Sequence, residues 1–402
     1  MRVILLLLFF AFSNSAYSQL IEHQFLPSQT DPAITGHNQP HYAYLNDTVS
    51  KLNKLLLFFP GTGALPWDYR MFQQTAANLG YHSLGLCYEN LQSINLDICP
   101  ATHDSTCHRR ARYEIWFGVD THDSLNINFA NSIVNRFVKA VKYLSINYPS
   151  ENWGQFLIND STINWSKVVT SGHSQGAGHA AFGSKYFKVN KVLMVSWIDW
   201  VWPGKPADWV RMPGQTHDSS YYGFIHTGDA SIYSGIPTTW AVLGMLNYGQ
   251  IVKIDTTVPP YYNTHSLITS IPIDTTPTQP NFHNCTLVDW VTPIDSVTGL
   301  PVLLPVWKYL LKNYSSTVNI KNISSGADSR FNVFPNPAKD FIKITGNTDY
   351  YGLNVEIYNL LGQRVGVYKN SDYINILNLS AGVYFMRMIS DNEIINFKFF
   401  KY

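Results

Sequence analysis

The chain has 402 residues, enough for two or three domains at about 150 residues each and for a well-buried core. Its 28 Lys and Arg balance 27 Asp and Glu for a formal net charge of +1, so the strong basic field that non-specific nucleic-acid binding needs is absent. Charged residues make up 14% of the chain against a usual level of about 25%, and aromatics also reach 14%, a composition that suits an extracellular setting.

Met1-Arg2 opens the chain with a positive charge, followed by the apolar run Val3 to Phe12 and the small, polar residues Ser13 to Ser18. This order predicts an export signal over residues 1–18, cleaved near Ser18 or Gln19. Ten apolar residues fall short of the roughly 20 that a helix needs to cross a bilayer, and no later segment comes near that length, so no transmembrane segment is expected. The absence of a Cys just after the run argues against a lipid anchor there.

Residues 19–50 are polar and aromatic without a clear period and read as an irregular opening. Lys54 to Phe59 is an unbroken apolar run ended by Pro60-Gly61-Thr62-Gly63, the pattern of a strand buried on both faces of a parallel sheet. Helical spacing over Trp67 to Leu79 stops at Gly80, and His82 to Tyr88 is a second strand candidate. Ile133, Phe137, Val141 and Leu144 set a helical stripe that Tyr148-Pro149 ends. Val168 to Ser171 is strand-like, a Gly-rich turn follows, and Ala177 to Phe187 is helical. Lys191 to Trp197 and Tyr222 to His226 are further strands, and Val306 to Leu311 is the last helix. Five or more strands interleaved with helices predict one α/β domain, placed at residues 19–314.

A Ser/Asn-rich linker is expected at residues 315–330. Beyond it, over residues 331–402, alternation becomes short and period-two, as in Val355 and Ile357 and in Val383, Phe385 and Met388, with turns at Leu361-Gly362 and Ala381-Gly382. That pattern predicts a small all-β module resembling a β-sandwich.

Of four cysteines, Cys99 and Cys107 bracket a short polar segment and are expected to form a disulfide in an exported chain. The rival is a zinc site from His103, Cys107 and His108, but its spacing fits no usual paired-ligand pattern, so no metal is assigned. Pairing of Cys87 and Cys285 is left open.

Gly172-His173-Ser174-Gln175-Gly176 lies between a strand and a helix. A serine on such a turn is strained and exposes its hydroxyl, and flanking glycines relieve the crowding, with Gly178 letting the following helix approach closely. Ser174 is therefore the candidate nucleophile. Acyl transfer needs oxyanion donors, expected from Gln175 and from Thr62 in the first Gly-rich loop. The base should follow the serine on a late loop. His283 is preferred to His265 on chain order and loop position, and His265 is kept as an alternative or as a pocket-lining residue. His179 and His226 read as structural. Asp229, at the end of a strand, is the preferred acid and Asp199 its competitor. No cofactor is required by this chemistry.

These motifs resemble the α/β-hydrolase superfamily, and more narrowly secreted bacterial members of unassigned substrate. The likeness rests on Pro60-Gly61-Thr62-Gly63, the Ser174 elbow with Ala177-Gly178-His179-Ala180, Gly228-Asp229, and His283 ahead of Val306 to Leu310. It implies a mostly parallel sheet and a serine hydrolase, most simply a carboxylester hydrolase. Phe334-Pro335-Asn336-Pro337-Ala338 with Asp340, Ile357 to Gln363, and Leu379 to Phe385 resemble the C-terminal sorting domain of the type IX secretion system of Bacteroidetes. That resemblance implies secretion or outer-surface attachment, with the export machinery as partner and Asn396 to Tyr402 as a strand presented to it. Lipase or peptidase activity through the same triad is one alternative. A non-catalytic extracellular binder is another, suggested by Trp197, Trp200, Trp202, Trp209 and Trp240, residues that also suit the roof of a substrate pocket.

Overall fold

The structure is a computed structural model that describes residues 20–202, 204–273, 281–312, 331–346, 354–359, 363–369, 371–390 and 393–402. The expected export signal and linker lie outside these residues, as does the Leu361-Gly362 turn. The chain divides into two compact units between Tyr314 and Ser315.

The first unit is built on a nine-stranded sheet. Its strands are β1 (Leu20–Phe25), β2 (His41–Asn46), β3 (Leu55–Phe59), β4 (His82–Gly85), β5 (Val168–His173), β6 (Lys191–Val195), β7 (Tyr221–His226), β8 (Val252–Lys253) and β9 (Ser266–Thr269). Their order is β1-β2-β4-β3-β5-β6-β7-β9-β8. From β4 onward every pairing is parallel, and β2 runs antiparallel to both neighbours. The run β1-β2-β4-β3-β5-β6-β7 is the strand order of the α/β-hydrolase fold, extended here by β9 with the two-residue β8 at the edge.

Strand β3 shows why the middle of the sheet reads as continuous apolar sequence. Its five residues are fully buried, and the pleat sends them alternately to two cores. Leu55, Leu57 and Phe59 face the helices α1 (Cys107–Phe117), α2 (Ile133–Asn147) and α3 (Gln175–Tyr186). Leu56 and Phe58 face Phe72 of the helix Arg70–Asn78 and Trp307 of the helix Leu304–Leu311. Each such side chain contributes about 1.5–3 kcal/mol by leaving water. The chain runs from β3 to β4 on one side and returns to β5 on the other, so a crevice opens where the carboxyl ends of β3 and β5 part. Phe59 pairs with Gly172, which sets the two Gly-rich turns side by side.

Residues 19–50 depart from expectation, because they hold β1 and β2. All six residues of β2 are buried between β1 and β4, so no polar alternation marks the strand. Two of its polar side chains find partners inside: His41 Nδ1 accepts the Cys87 N–H at 2.9 Å, and Asn46 Nδ2 donates to Asn78 at 2.8 Å. Helix α1 also goes unread in the sequence. Its buried face carries Arg112 and Glu114, and Glu114 accepts the N–H groups of Thr121, His122 and Ile127 at 2.9–3.0 Å.

The second unit holds two antiparallel sheets. One is β10 (Phe331–Phe334), β11 (Phe341–Gly346) and β14 (Tyr373–Asn375); the other is β12 (Asn354–Asn359), β13 (Arg364–Lys369), β15 (Gly382–Ser390) and β16 (Glu393–Lys401), in the order β13-β12-β15-β16. Ile342, Ile344, Val355, Ile357, Met386 and Met388 fill its core. In β15 the inward set is Tyr384, Met386 and Met388, so Phe385 points outward at 41% exposure, one residue out of register with the sequence expectation. Among the described residues no helix is long and apolar enough to cross a membrane.

Candidate active site

Ser174 stands between β5 and α3 with φ 53° and ψ −126°, a conformation costly for any residue with a side chain. Its N–H is fixed to the Val195 carbonyl at 2.9 Å, and its carbonyl caps the helix by accepting from Ala177 at 3.0 Å. Gly176 has to be glycine: a Cβ there would lie 2.0 Å from the carbonyl oxygen of Phe59. The Ser174 side chain is half-exposed, and its hydroxyl makes no hydrogen bond among the described residues.

The loop after β3 is braced on several sides. Asn90 Nδ2 donates to the carbonyls of Gly61 (2.6 Å) and Ala64 (2.9 Å), and the Tyr88 hydroxyl donates to that of Pro60 at 2.8 Å. The Thr62 hydroxyl donates to Gln175 Oε1 at 3.1 Å, and the Ile94 N–H reaches the same oxygen at 2.8 Å. Gln175 therefore joins the two expected oxyanion donors through its side chain. As the first residue of α3, its N–H has no intrahelical acceptor.

Asp229 and His283 come together from loops at the carboxyl edge of the sheet. His283 Nδ1 lies 2.6 Å from Asp229 Oδ2, with the carboxylate side chain only 4% exposed and the imidazole 34% exposed. His226 prepares this meeting. Its Nε2 donates to the Ile271 carbonyl at 2.9 Å, its Nδ1 accepts the Gly228 N–H at 2.9 Å, and its ring stacks on Phe282 at 4.5 Å. Phe282 presses so close that a Cβ on Gly228 would sit 2.6 Å from its ring. Further along, Asp289 accepts the N–H groups of Arg70 and Met71 at 3.0 and 3.1 Å and so ties the loop after His283 to the helix Arg70–Asn78.

The alternatives are engaged elsewhere. His265 precedes β9, at the amino edge of the sheet and away from the elbow, stacked against Tyr222 (3.9 Å) and Tyr248 (4.8 Å). Burial, with the Lys191 charge, pushes its ring down to about 4. Asp199 is fully buried and saturated: Arg112 Nε and Nη2 donate at 2.6 and 2.7 Å, and the indoles of Trp197 and Trp209 at 2.9 Å each. Burial alone would raise the Asp199 pKa, but the guanidinium overrides it and holds the carboxyl well below the usual range.

Arg112 Nη1 also donates to the Gln175 carbonyl at 3.1 Å, which backs the start of α3. The role expected of Gly178 is thereby redirected, since a Cβ there would lie 2.1 Å from Arg112 Nη2. Truncating Arg112 to alanine is expected to destabilise the fold by about 3–5 kcal/mol by stranding the Asp199 charge. Denaturant titration measures this, and a loss below about 1 kcal/mol would contradict it.

Cys99 and Cys107 form a disulfide, and Cys87 and Cys285 are free and buried. His122 Nε2 approaches Cys107 Sγ to 3.3 Å, but the disulfide occupies both sulfurs, and His108 Nε2 is bonded to Asn95 Oδ1 at 2.7 Å. The tryptophans expected to roof the pocket are mostly core: Trp197, Trp209 and Trp240 are buried, and Trp202 is exposed at 60%.

Residues 332–401 match the family model of the secretion system C-terminal sorting domain. The chain carries a sorting tail. Its destination is accordingly the exterior or the outer surface of the cell. No curated protein matches the chain. Among solved structures, a protein described as a dienelactone hydrolase from Klebsiella pneumoniae subsp. pneumoniae is similar at 11% identity, over 63% of this chain and 86% of its own, with a TM-score of 0.33. An S-formylglutathione hydrolase from Staphylococcus aureus is similar at 13% identity, over 46% and 59%, with a TM-score of 0.26.

Proposed function

We propose that this sorting-tail protein is an exported serine hydrolase that cleaves carboxylic esters. Asp229 accepts the Nδ1 proton of His283, which leaves Nε2 as a lone pair to take the Ser174 proton. The Ser174 oxygen then bonds to the ester carbonyl carbon, and the N–H groups of Thr62 and Gln175 stabilise the oxyanion. Collapse breaks the bond to the alcohol, which leaves with the proton from His283. Water, deprotonated by the same imidazole, then releases the acid and restores Ser174.

The observation that carries the reading is the 2.6 Å contact between buried Asp229 and His283, on loops converging at the edge where the strained Ser174 turn lies. Esters are favoured over amides as the simpler chemistry for the same groups, since an alcohol leaves more readily than an amine. A panel of p-nitrophenyl esters of increasing acyl length, run on the full chain, tests this. Turnover above buffer is expected for short esters and slower release from the matching anilide. Buffer-level rates across the panel would contradict the ester assignment, and faster anilide cleavage would favour a peptidase.

A further inference from the structure

We propose that Tyr69 and His173 form a positioning relay that holds the oxyanion loop, the nucleophile turn and the loop of the base histidine in one register; the proposal rests on the serine-hydrolase reading above. Three hydrogen bonds run in sequence. His173 Nε2 lies 2.8 Å from the carbonyl oxygen of His283. A carbonyl only accepts, so Nε2 carries the ring proton. In a neutral ring Nδ1 is then a bare lone pair, and the Tyr69 hydroxyl donates to it at 3.1 Å. The Tyr69 oxygen in turn accepts the Gly61 N–H at 3.1 Å. One acceptor-only group at the end of the chain thus fixes the direction of every bond in it.

The three segments joined are distant in sequence and adjacent in chemistry. Gly61 precedes Thr62, His173 precedes Ser174, and the third attachment is the backbone of His283 itself, whose ring centroid lies 5.0 Å from that of His173. Tyr69 and His173 are each 1% exposed, so water cannot take the place of either bonding partner. Burial, helped by the nearby His283, pushes the His173 ring down to about 3, so it stays neutral and the bond directions persist. Any buried Tyr and His need partners, and satisfying them would suffice for stability alone. Here every partner is one of the three segments that must be aligned for acyl transfer. The residue between the first glycine and the serine of the elbow motif is then a positioning residue rather than filler.

Tyr69→Phe in the full chain removes the hydroxyl and keeps the ring packed on Phe58, 4.9 Å away. Turnover of p-nitrophenyl acetate is expected to fall about 10- to 100-fold in kcat with KM nearly unchanged, since small misplacements at a reacting centre cost on the order of 10²-fold. His173→Gln, which keeps a donor for the His283 carbonyl, is expected to retain more kcat than His173→Ala. In the wild type, nitrogen NMR is expected to find the His173 proton on Nε2 and no titration between about pH 5 and 8. Unchanged kcat in Tyr69→Phe, equal losses in the two His173 variants, or a proton on Nδ1 would each overturn the relay. Ser174→Ala run alongside separates the two ideas: turnover that depends on Ser174 but not on Tyr69 defeats the relay alone, whereas turnover independent of Ser174 defeats the hydrolase reading and the relay with it.

Discussion

Ser174→Ala is expected to lower kcat for a small ester by about 10⁴- to 10⁶-fold, because without the nucleophile only binding and the oxyanion donors remain. KM should change little, since the hydroxyl contributes to the transition state far more than to substrate binding. The fold should tolerate the change. The side chain is half-exposed and bonded to nothing among the described residues, and alanine suits the backbone at φ 53° no worse than serine does. The thermal midpoint should therefore move by only a few degrees, about what a change within 1 kcal/mol produces. Side-by-side kinetics and melting of the two proteins check both halves, and loss of activity through unfolding would refute the assignment of a chemical role.

Asp229→Asn is expected to cost on the order of 10⁴-fold in kcat, although the change is nearly isosteric. In the proposed triad, the carboxylate 2.6 Å from His283 Nδ1 only accepts, which would keep the proton on Nδ1 and free Nε2. An amide can turn its NH₂ toward Nδ1, and the ring then carries its proton on Nε2, where it cannot accept one from Ser174. Even in the other orientation the neutral amide no longer stabilises the imidazolium formed during attack. The corresponding Asp199→Asn change should instead appear as lost stability, because Asp199 is held by Arg112, Trp197 and Trp209, away from His283. Comparing kcat and unfolding midpoint for the two variants separates an acid that orients the base from one that holds the core.

Much of this arrangement was legible in the chain. Strand β3 and the turn that ends it follow from an apolar run and a Pro-Gly stop, and the elbow follows from glycines that crowding makes necessary, as at Gly176. Strands β1 and β2 were not legible, because β2 buries His41 and Asn46 through side-chain bonds that leave no mark on hydrophobic period. Helix α1 was hidden for a similar reason, its buried face setting Arg112 and Glu114 beside Ala111, Ile115 and Trp116. Sequence order fitted both acids and favoured Asp229 because its strand comes later; in three dimensions Asp229 lies 2.6 Å from His283, whereas Asp199 is held by Arg112. Nor does anything in the string of residues mark Tyr69, Asn90 or His226. Their contribution is to shape turns that meet across 29 to 104 residues of sequence or to stack on a distant ring, contacts that no local pattern encodes.

The most direct test is to treat the full chain with a fluorophosphonate probe, digest it, and locate the adduct by mass. A single modified peptide bearing the phosphonyl group on Ser174, its formation slowed in Asp229→Asn, is the expected result. An unlabelled Ser174 in folded protein, or an adduct on another residue that forms equally well in Ser174→Ala, would contradict it.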